Sequence, residues 1–109
     1  MSFNIIATDV FQKQFRRLLK KYSSLKEDLS GLVKILKENQ NQGTSLGNHC
    51  YKIRLRIKSK VSGKSAGARI IYYVYYEEYK IYLLSIYDKS EMENISAKEI
   101  KSILEQLEI

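Results

Sequence analysis

The chain has few of the residue types on which metal and disulfide sites depend. Its 109 residues contain no proline, no tryptophan, one cysteine and one histidine. A single cysteine, Cys50, excludes an internal disulfide framework and suits a reducing compartment, so we expect a cytoplasmic protein. His49 has no second histidine or cysteine at ligand spacing, which argues against a metal site and leaves it as a loop residue.

Longer features are missing as well. No apolar run approaches the roughly 18 residues of a membrane span. The first residues lack a basic stretch before an apolar run, so we expect no signal peptide. With no proline, repeat or low-complexity tract, residues 1–109 are expected to form one domain, which at this length can bury a core. The cations do not fall on one face of an apolar helix, so no membrane partner is expected.

Acidic residues are absent between Glu38 and Glu77, and this absence carries the most information. The net charge of the chain is +7, and this acid-free stretch alone holds seven cations. They are Lys52, Arg54, Arg56, Lys58, Lys60, Lys64 and Arg69. A concentrated basic block in an otherwise balanced chain predicts a polyanionic partner, either nucleic acid or an acidic protein. The alternative is a passive, solvated basic face.

Helical periodicity dominates the first third of the chain. Residues 3–7 form a short apolar run that predicts an edge strand, and Thr8 or Asp9 can cap a helix that follows it. Ser24 and Glu27 have the spacing of a capping box at the start of a second helix. The two helices are expected to form an antiparallel hairpin, and the polar residues 39–48 are expected to form a loop.

The period changes to two from Cys50 onward, which predicts a strand. One face of this strand carries Tyr51, Ile53, Leu55 and Ile57, and the other carries Lys52, Arg54, Arg56 and Lys58. Cations two residues apart are spaced by about 6.7 Å, which lets them follow successive phosphates of one RNA strand. Arg69 begins the next strand and can lie beside them. This order favours an anion-binding face over a passive surface.

The remaining pattern completes an α+β fold. Residues 59–67 form a basic loop with Lys60 and Lys64, but Lys58 stands where a phosphate-binding P-loop needs glycine. Residues 69–76 are apolar on both faces, as in a central strand, and residues 80–87 return as another strand. Ser96 and Glu99 cap a C-terminal helix. We predict an antiparallel sheet of about four strands packed on the N-terminal hairpin, with the helices on one face.

Tyrosine is abundant, with nine residues, several of them between positions 72 and 79. Such rings either stack on bases or pack within the sheet. The cationic face can also support catalysis without histidine. A lysine can remove the proton of a ribose 2′-hydroxyl, whose oxygen then attacks the adjacent phosphate while arginines stabilise the phosphorane. The residues permit this reaction but do not require it.

Three segments resemble the RelE/ParE superfamily of bacterial toxins, most closely its RelE/HigB-like members. The segments are CYKIRLR at 50–56, GARIIY at 67–72 and LSIYDKSE at 84–91. The resemblance covers nearly the whole chain and implies a RelE-like fold. It also implies the toxin of a type II toxin–antitoxin system, a ribosome-dependent mRNA endoribonuclease. Such an enzyme needs no metal or cofactor, and a cognate antitoxin neutralises it.

The resemblance also implies roles for individual residues. Lys52 occupies the position of a general base, Arg54 would stabilise the transition state, and Arg69 matches the arginine that clamps the scissile phosphate. Lys89 stands where RelE has an arginine that acts as general acid or phosphate ligand. The C-terminal catalytic tyrosine of RelE has no counterpart, because residues 94–96 read Asn-Ile-Ser.

The remaining contacts to RNA are assigned to residues around this centre: Arg56, Lys58, Lys60, Lys64 and Tyr87. Tyr87 is a nearby aromatic residue to which we do not transfer the role of the absent tyrosine. Two alternatives stay open. One is a ParE-like inhibitor of DNA gyrase, and the other is a catalytically inactive module that binds RNA or the ribosome.

Overall fold

The computed structural model describes residues 2–59, 67–92 and 94–107. Within these ranges the elements are β1 (Asn4–Ala7), α1 (Asp9–Leu19), α2 (Leu25–Glu38), β2 (Thr44–Gly47), β3 (Cys50–Arg56), β4 (Gly67–Tyr75), a 3₁₀ helix (Tyr76–Glu78), β5 (Lys80–Asp88) and α3 (Ala97–Glu105). The strands form one sheet in the order β1-β5-β4-β3-β2. β1 runs parallel to β5, and the other neighbours are antiparallel. The predicted α+β class is confirmed, with five strands in these ranges instead of about four.

Two cores lie on opposite faces of the sheet. The larger one packs α1 and α2 against side chains such as Leu55, Ile70 and Ile86. The smaller one packs Ile100 and Leu104 of α3, with their neighbours, against the other face. The expectation that all helices share one face was therefore wrong. β4 and β5 are apolar on both faces, so each face needs a covering layer.

The start of α1 is fixed to the sheet by its cap. The hydroxyl of Thr8 accepts a hydrogen bond from the Phe11 backbone N–H at 3.2 Å and donates one to the Leu83 carbonyl at 2.9 Å. Thr8 is thus the N-cap, one of the two residues that the sequence offered. The edge strand predicted just before it is also confirmed, as β1.

The start of α2 differs from the predicted capping box. The Ser24 side chain makes no capping bond to α2. Its hydroxyl donates instead to the Asp28 carboxylate at 2.7 Å and contacts Ser59, while the Lys58 backbone N–H donates to the same carboxylate at 3.1 Å. The chain leaving β3 pairs with no strand among the described residues, and Ser24 and Asp28 accept hydrogen bonds from its backbone. This network anchors the end of β3 to α2.

The segment predicted as a loop between α2 and β3 contains the short edge strand β2, so that expectation was wrong for Thr44–Gly47. β2 and β3 are joined at Asn48 and His49, whose φ angles of 53° and 62° are those of a two-residue type I′ hairpin turn. Asn is favoured there because it tolerates a positive φ. His49 is a turn residue, as the sequence predicted.

The tyrosines of β4 serve mainly in packing. Tyr72 is fully buried, donates to the Gln40 carbonyl at 2.8 Å and accepts from the Gly43 backbone N–H at 3.0 Å. Tyr73 stacks on Tyr75 with ring centroids 6.4 Å apart. These contacts support the packing interpretation of the tyrosine cluster. Within the described ranges, no helix is both long and apolar enough to cross a membrane.

The helical hairpin also holds the chain after β5. The Tyr22 hydroxyl donates to the buried Asp88 carboxylate at 2.6 Å, and the Ser90 backbone N–H donates to the other carboxylate oxygen at 3.0 Å. Arg17 of α1 forms a two-pronged ion pair with Glu91 at 2.8 and 3.3 Å. Together these contacts fix the turn that contains Lys89 against α1.

Replacing Tyr22 by phenylalanine is expected to lower the free energy of unfolding by about 1–3 kcal/mol, because a buried carboxylate loses a hydrogen-bond donor. The bond to Asp88, then burial, raises the pKa of Tyr22 from 10.0 to about 12. Its stabilisation is therefore complete below about pH 10 and is lost as the pH rises through about 12.

Urea unfolding of the Tyr22→Phe variant at neutral and alkaline pH measures both effects. Tyr79→Phe is the matched control, since Tyr79 is exposed and its loss should change stability by less than about 0.5 kcal/mol. Equal stabilities of wild type and Tyr22→Phe at neutral pH would contradict the role of this bond.

Candidate functional site

The register of the sheet brings three of the predicted residues into one row. Arg54 of β3 pairs with Arg69 of β4, and Arg69 pairs with Tyr87 of β5. Directly paired residues of antiparallel strands project from the same face, with Cβ atoms about 4.5–5.5 Å apart. Lys52 lies two residues before Arg54 on the same face of β3. The structure therefore groups Lys52, Arg54, Arg69 and Tyr87, and we call these four residues the cationic row.

The cationic row lies on the face that α3 covers only in part. The helix packs over the adjoining part of this face, where Cys50, Ile71 and Leu84 are buried. Arg54 and Arg56 are exposed, and Lys52 and Arg69 are half-buried. The alternation predicted from Cys50 is confirmed, because Tyr51, Ile53, Leu55 and Ile57 all belong to the core on the opposite face.

The segment before α3 closes one side of the row. The Lys52 ammonium donates to the Asn94 side-chain oxygen at 3.2 Å. A pocket of about 240 Å³ lies next to this bond, lined by Leu46, Lys52, Asn94, Ile95, Ala97 and Ile100. Asn94 was not singled out from the sequence. It lies in the segment where RelE has a catalytic tyrosine that this chain lacks. That difference was the signal in the sequence that could have identified Asn94.

The innermost donors of the row lack acceptors. Arg69 Nη1 and the Tyr87 hydroxyl are both buried, and neither donates a hydrogen bond to an acceptor among the described residues. Burial raises the pKa of Tyr87, while the Ile95 backbone and the Arg69 charge oppose the rise. Arg69 and Tyr87 are thus close enough to interact electrostatically.

No carboxylate in the described ranges forms an ion pair with a cation of the row. Asp88 follows Tyr87 directly, but it pairs with Ala68 of the hairpin-side core, and its carboxylate binds Tyr22 of that hairpin. The side chain of Asp88 therefore points to the opposite face. The positive potential of the row is left without a counter-charge from these neighbours.

Other predicted residues lie around the row. Arg56 is the last residue of β3, Gly67 pairs with it, and Lys89 directly follows β5. These three residues therefore lie at the same end of the neighbouring strands β3, β4 and β5. Lys89 is exposed. Lys58 lies beyond the end of β3, which leaves three cations and not four on this strand. The shortening follows from Lys58 donating its backbone N–H to Asp28 and not to a strand. Lys60 and Lys64 lie outside the described residues.

The arrangement suits an anion better than a metal. Arginines bind phosphate oxygens through fixed N–H groups, and lysine adds a point charge. Among the described residues, no group of three His, Cys, Asp or Glu side chains could hold a metal ion. The chemistry available to the row is therefore phosphate binding, charge stabilisation and proton transfer by lysine.

Solved structures of the same fold come from E. coli. A double arginine-to-alanine mutant of the toxin RelE in the free state matches with a TM-score of 0.67 and 19% identity, covering 98% of this chain and 99% of that one. The isolated RelE toxin gives 0.61 and 22%, covering 97% and 100%. The RelBE toxin–antitoxin complex gives 0.61 and 23%, covering 78% and 94%. At these identities the likeness establishes the fold.

Family membership rests on the sequence comparison. The sequence model described as "RelE toxin of RelE / RelB toxin-antitoxin system" matches residues 8–107, which include every helix, β2 to β5 and the whole cationic row. The chain therefore belongs to the RelE family of toxins.

Proposed function

We propose that this protein is the toxin of a type II toxin–antitoxin system and that it inhibits translation by cutting mRNA on the ribosome. The observation that carries the proposal is the pairing of Arg54 with Arg69 beside Lys52, where no cation forms an ion pair with a carboxylate of the described residues. Two arginines on directly paired residues repel each other, and an anion bound between them relieves the repulsion. A backbone phosphate of RNA supplies that charge.

The proposed reaction uses three residues of the row together with Lys89. Lys52, once deprotonated and released from Asn94, takes the proton of the ribose 2′-hydroxyl. The 2′-oxygen then bonds to the adjacent phosphorus, and Arg54 and Arg69 stabilise the phosphorane oxygens. The bond from phosphorus to the 5′-oxygen breaks, and Lys89 donates a proton to that oxygen. The products are a 2′,3′-cyclic phosphate and a 5′-hydroxyl end.

Dependence on the ribosome is supported by the exposure of the row. Arg54 is exposed, and Lys52 and Arg69 are half-buried on a face that α3 covers only in part. An open face gives little help in holding and orienting a flexible RNA strand. A ribosome that presents the mRNA in a fixed conformation removes this requirement.

Loss of either central residue should abolish most of the cleavage. We expect Lys52→Ala and Arg69→Ala to slow single-turnover cleavage roughly 100- to 1,000-fold, the usual cost of losing a general base or a charge-stabilising donor. The measurement is mapping of mRNA 5′ ends on translating ribosomes. Lys34→Ala is the matched control, because it removes one exposed positive charge from α2.

Identical cleavage patterns for wild type, Lys52→Ala and Arg69→Ala would refute this assignment. If neither the wild type nor any variant cuts mRNA, and the wild type blocks supercoiling by gyrase without ribosomes, the ParE-like alternative is correct. Ribosome binding that leaves the mRNA intact would identify an inactive binding module instead.

The affinity for RNA should fall steeply as the salt concentration rises, because the cations of the row, together with Arg56 and Lys89, release counterions from phosphates. For a single-stranded RNA with 2′-O-methyl groups, which cannot be cut by this reaction, we expect Arg56→Ala to lower the salt slope by roughly 0.7. Lys34→Ala should leave the slope unchanged. Fluorescence anisotropy from low to moderate salt measures both, and equal slopes for Arg56→Ala and wild type would remove Arg56 from the RNA contacts.

A cognate antitoxin is the expected protein partner, and its acidic side chains should pair with the same cations. The test takes a small protein encoded next to this gene and measures its binding by calorimetry. Arg56→Glu should weaken the complex at least 10-fold, and Lys34→Glu should not. If both variants bind as tightly as the wild type, the antitoxin does not use this face.

A further inference from the structure

Two buried hydrogen-bond donors, Arg69 Nη1 and the Tyr87 hydroxyl, lie at the inner end of the cationic row without an acceptor among the described residues. Arg69 Nη1 can only donate, and it is buried without a partner. The Tyr87 hydroxyl is buried as well, and its proton has no acceptor among the described residues. The backbone N–H of Ile95 and the charge of Arg69 both act on the Tyr87 oxygen. These two neighbours, a donor and a cation, favour negative charge at this position.

Such a cluster is rare in folded proteins, because buried donors without partners are costly. The sheet register enforces it here. Arg69 and Tyr87 are paired across β4 and β5, so their side chains project from the same face at neighbouring positions. A group with several acceptor oxygens and a negative charge would satisfy both side chains together.

We propose that the Tyr87 hydroxyl donates a hydrogen bond to the same phosphate that Arg69 binds, and so is a ligand of the scissile phosphate. This inference rests on the proposed function and deepens it, since neither base stacking nor a general RNA contact requires the hydroxyl. Burial raises the pKa of Tyr87, so the hydroxyl keeps its proton at neutral pH and remains a donor.

Access to the hydroxyl requires the segment before α3 to shift. Ile95 packs in the same core as Tyr87, and only 3% of Tyr87 is exposed. The hydrogen bond between the side chains of Lys52 and Asn94 ties this segment to β3. Lys52 must release Asn94 before it can act on RNA, so the same movement would uncover both groups. A buried water is the alternative occupant of the donor cluster.

Binding of inorganic phosphate to the purified protein tests the site without any need for cleavage. Tyr87→Phe removes only the hydroxyl and should weaken phosphate binding roughly 10-fold, the usual effect of a hydrogen bond to a charged group. Tyr82→Phe is the matched control, because Tyr82 lies on the same strand and in the same core. It should bind phosphate as the wild type does.

Phosphorothioate mRNA tests the contact during the reaction. One diastereomer at the scissile phosphate should slow wild-type cleavage on the ribosome at least 10-fold, because sulfur is a poor hydrogen-bond acceptor. In Tyr87→Phe the same diastereomer and the oxygen substrate should react within about 2-fold of each other. If the hydroxyl is only structural, its loss in Tyr87→Phe slows the cleavage of both substrates by the same factor and leaves the sulfur effect unchanged. That result would overturn the proposal.

The two measurements separate the failures. If the wild type cuts no mRNA, the proposed function fails, and the phosphate titration alone then decides whether Tyr87 and Arg69 share an anion. Equal phosphate affinity in wild type and Tyr87→Phe would assign the cluster to water. If Tyr87→Phe does not fold, NMR of the wild type decides. Saturable chemical-shift changes at both Arg69 and Tyr87 on addition of phosphate support the proposal. Changes at Arg69 without changes at Tyr87 contradict it.

Discussion

The alignment of Arg54 with Arg69 across β3 and β4 is the constraint on which the proposed chemistry depends. Arginines on directly paired residues carry like charges that repel each other. The sheet tolerates this because seven residue pairs join the two strands, and because Leu55 and Ile70 lock their register in the hairpin-side core. A one-residue slip would turn these apolar side chains to the wrong face. The core therefore holds the arginines together, and an anion relieves their repulsion.

The division of the sheet into two differently covered faces has a second consequence. The hairpin of α1 and α2 lies against one face, and α3 against part of the other. Because α3 covers only part of its face, the cationic row has both an exposed side, at Arg54, and a buried side, at Tyr87. Water screens the charges of the exposed side, whereas a hydrogen bond on the buried side acts in a lower dielectric and is stronger. The row thus combines a side open to solvent with a buried inner side.

Some of this arrangement could be predicted from the sequence. The alternation from Cys50 identifies which residues of β3 face the core, since a period of two has only two possible assignments and one of them buries charges. The position of Arg69 beside Arg54 follows once the two strands pair. The side of the sheet taken by α3 was misjudged, although the apolar character of β4 on both faces already required two covering layers. Ser24 matched a capping box, but a partner distant in sequence, Ser59, and the nearby Asp28 took its hydroxyl. Local spacing contains no information about such a competitor.

The absent C-terminal tyrosine is the point where the local sequence and the assembled site differ most. The sequence places Asn94, Ile95 and Ser96 where a phenolic hydroxyl was expected, which suggests a missing group. In the fold, Asn94 contacts Lys52, and Ile95 lies over a different tyrosine, which reaches the row from β5. A residue on a central strand is positioned by its hydrogen-bond ladder and by packing on both sides, so its hydroxyl is held more rigidly than one on a segment outside the sheet. A tyrosine in that place is suited to binding a phosphate at a fixed distance, and less suited to following a leaving group as it departs. In the proposed reaction, proton delivery to the leaving oxygen therefore falls to an exposed residue such as Lys89, whose flexible side chain can move with it.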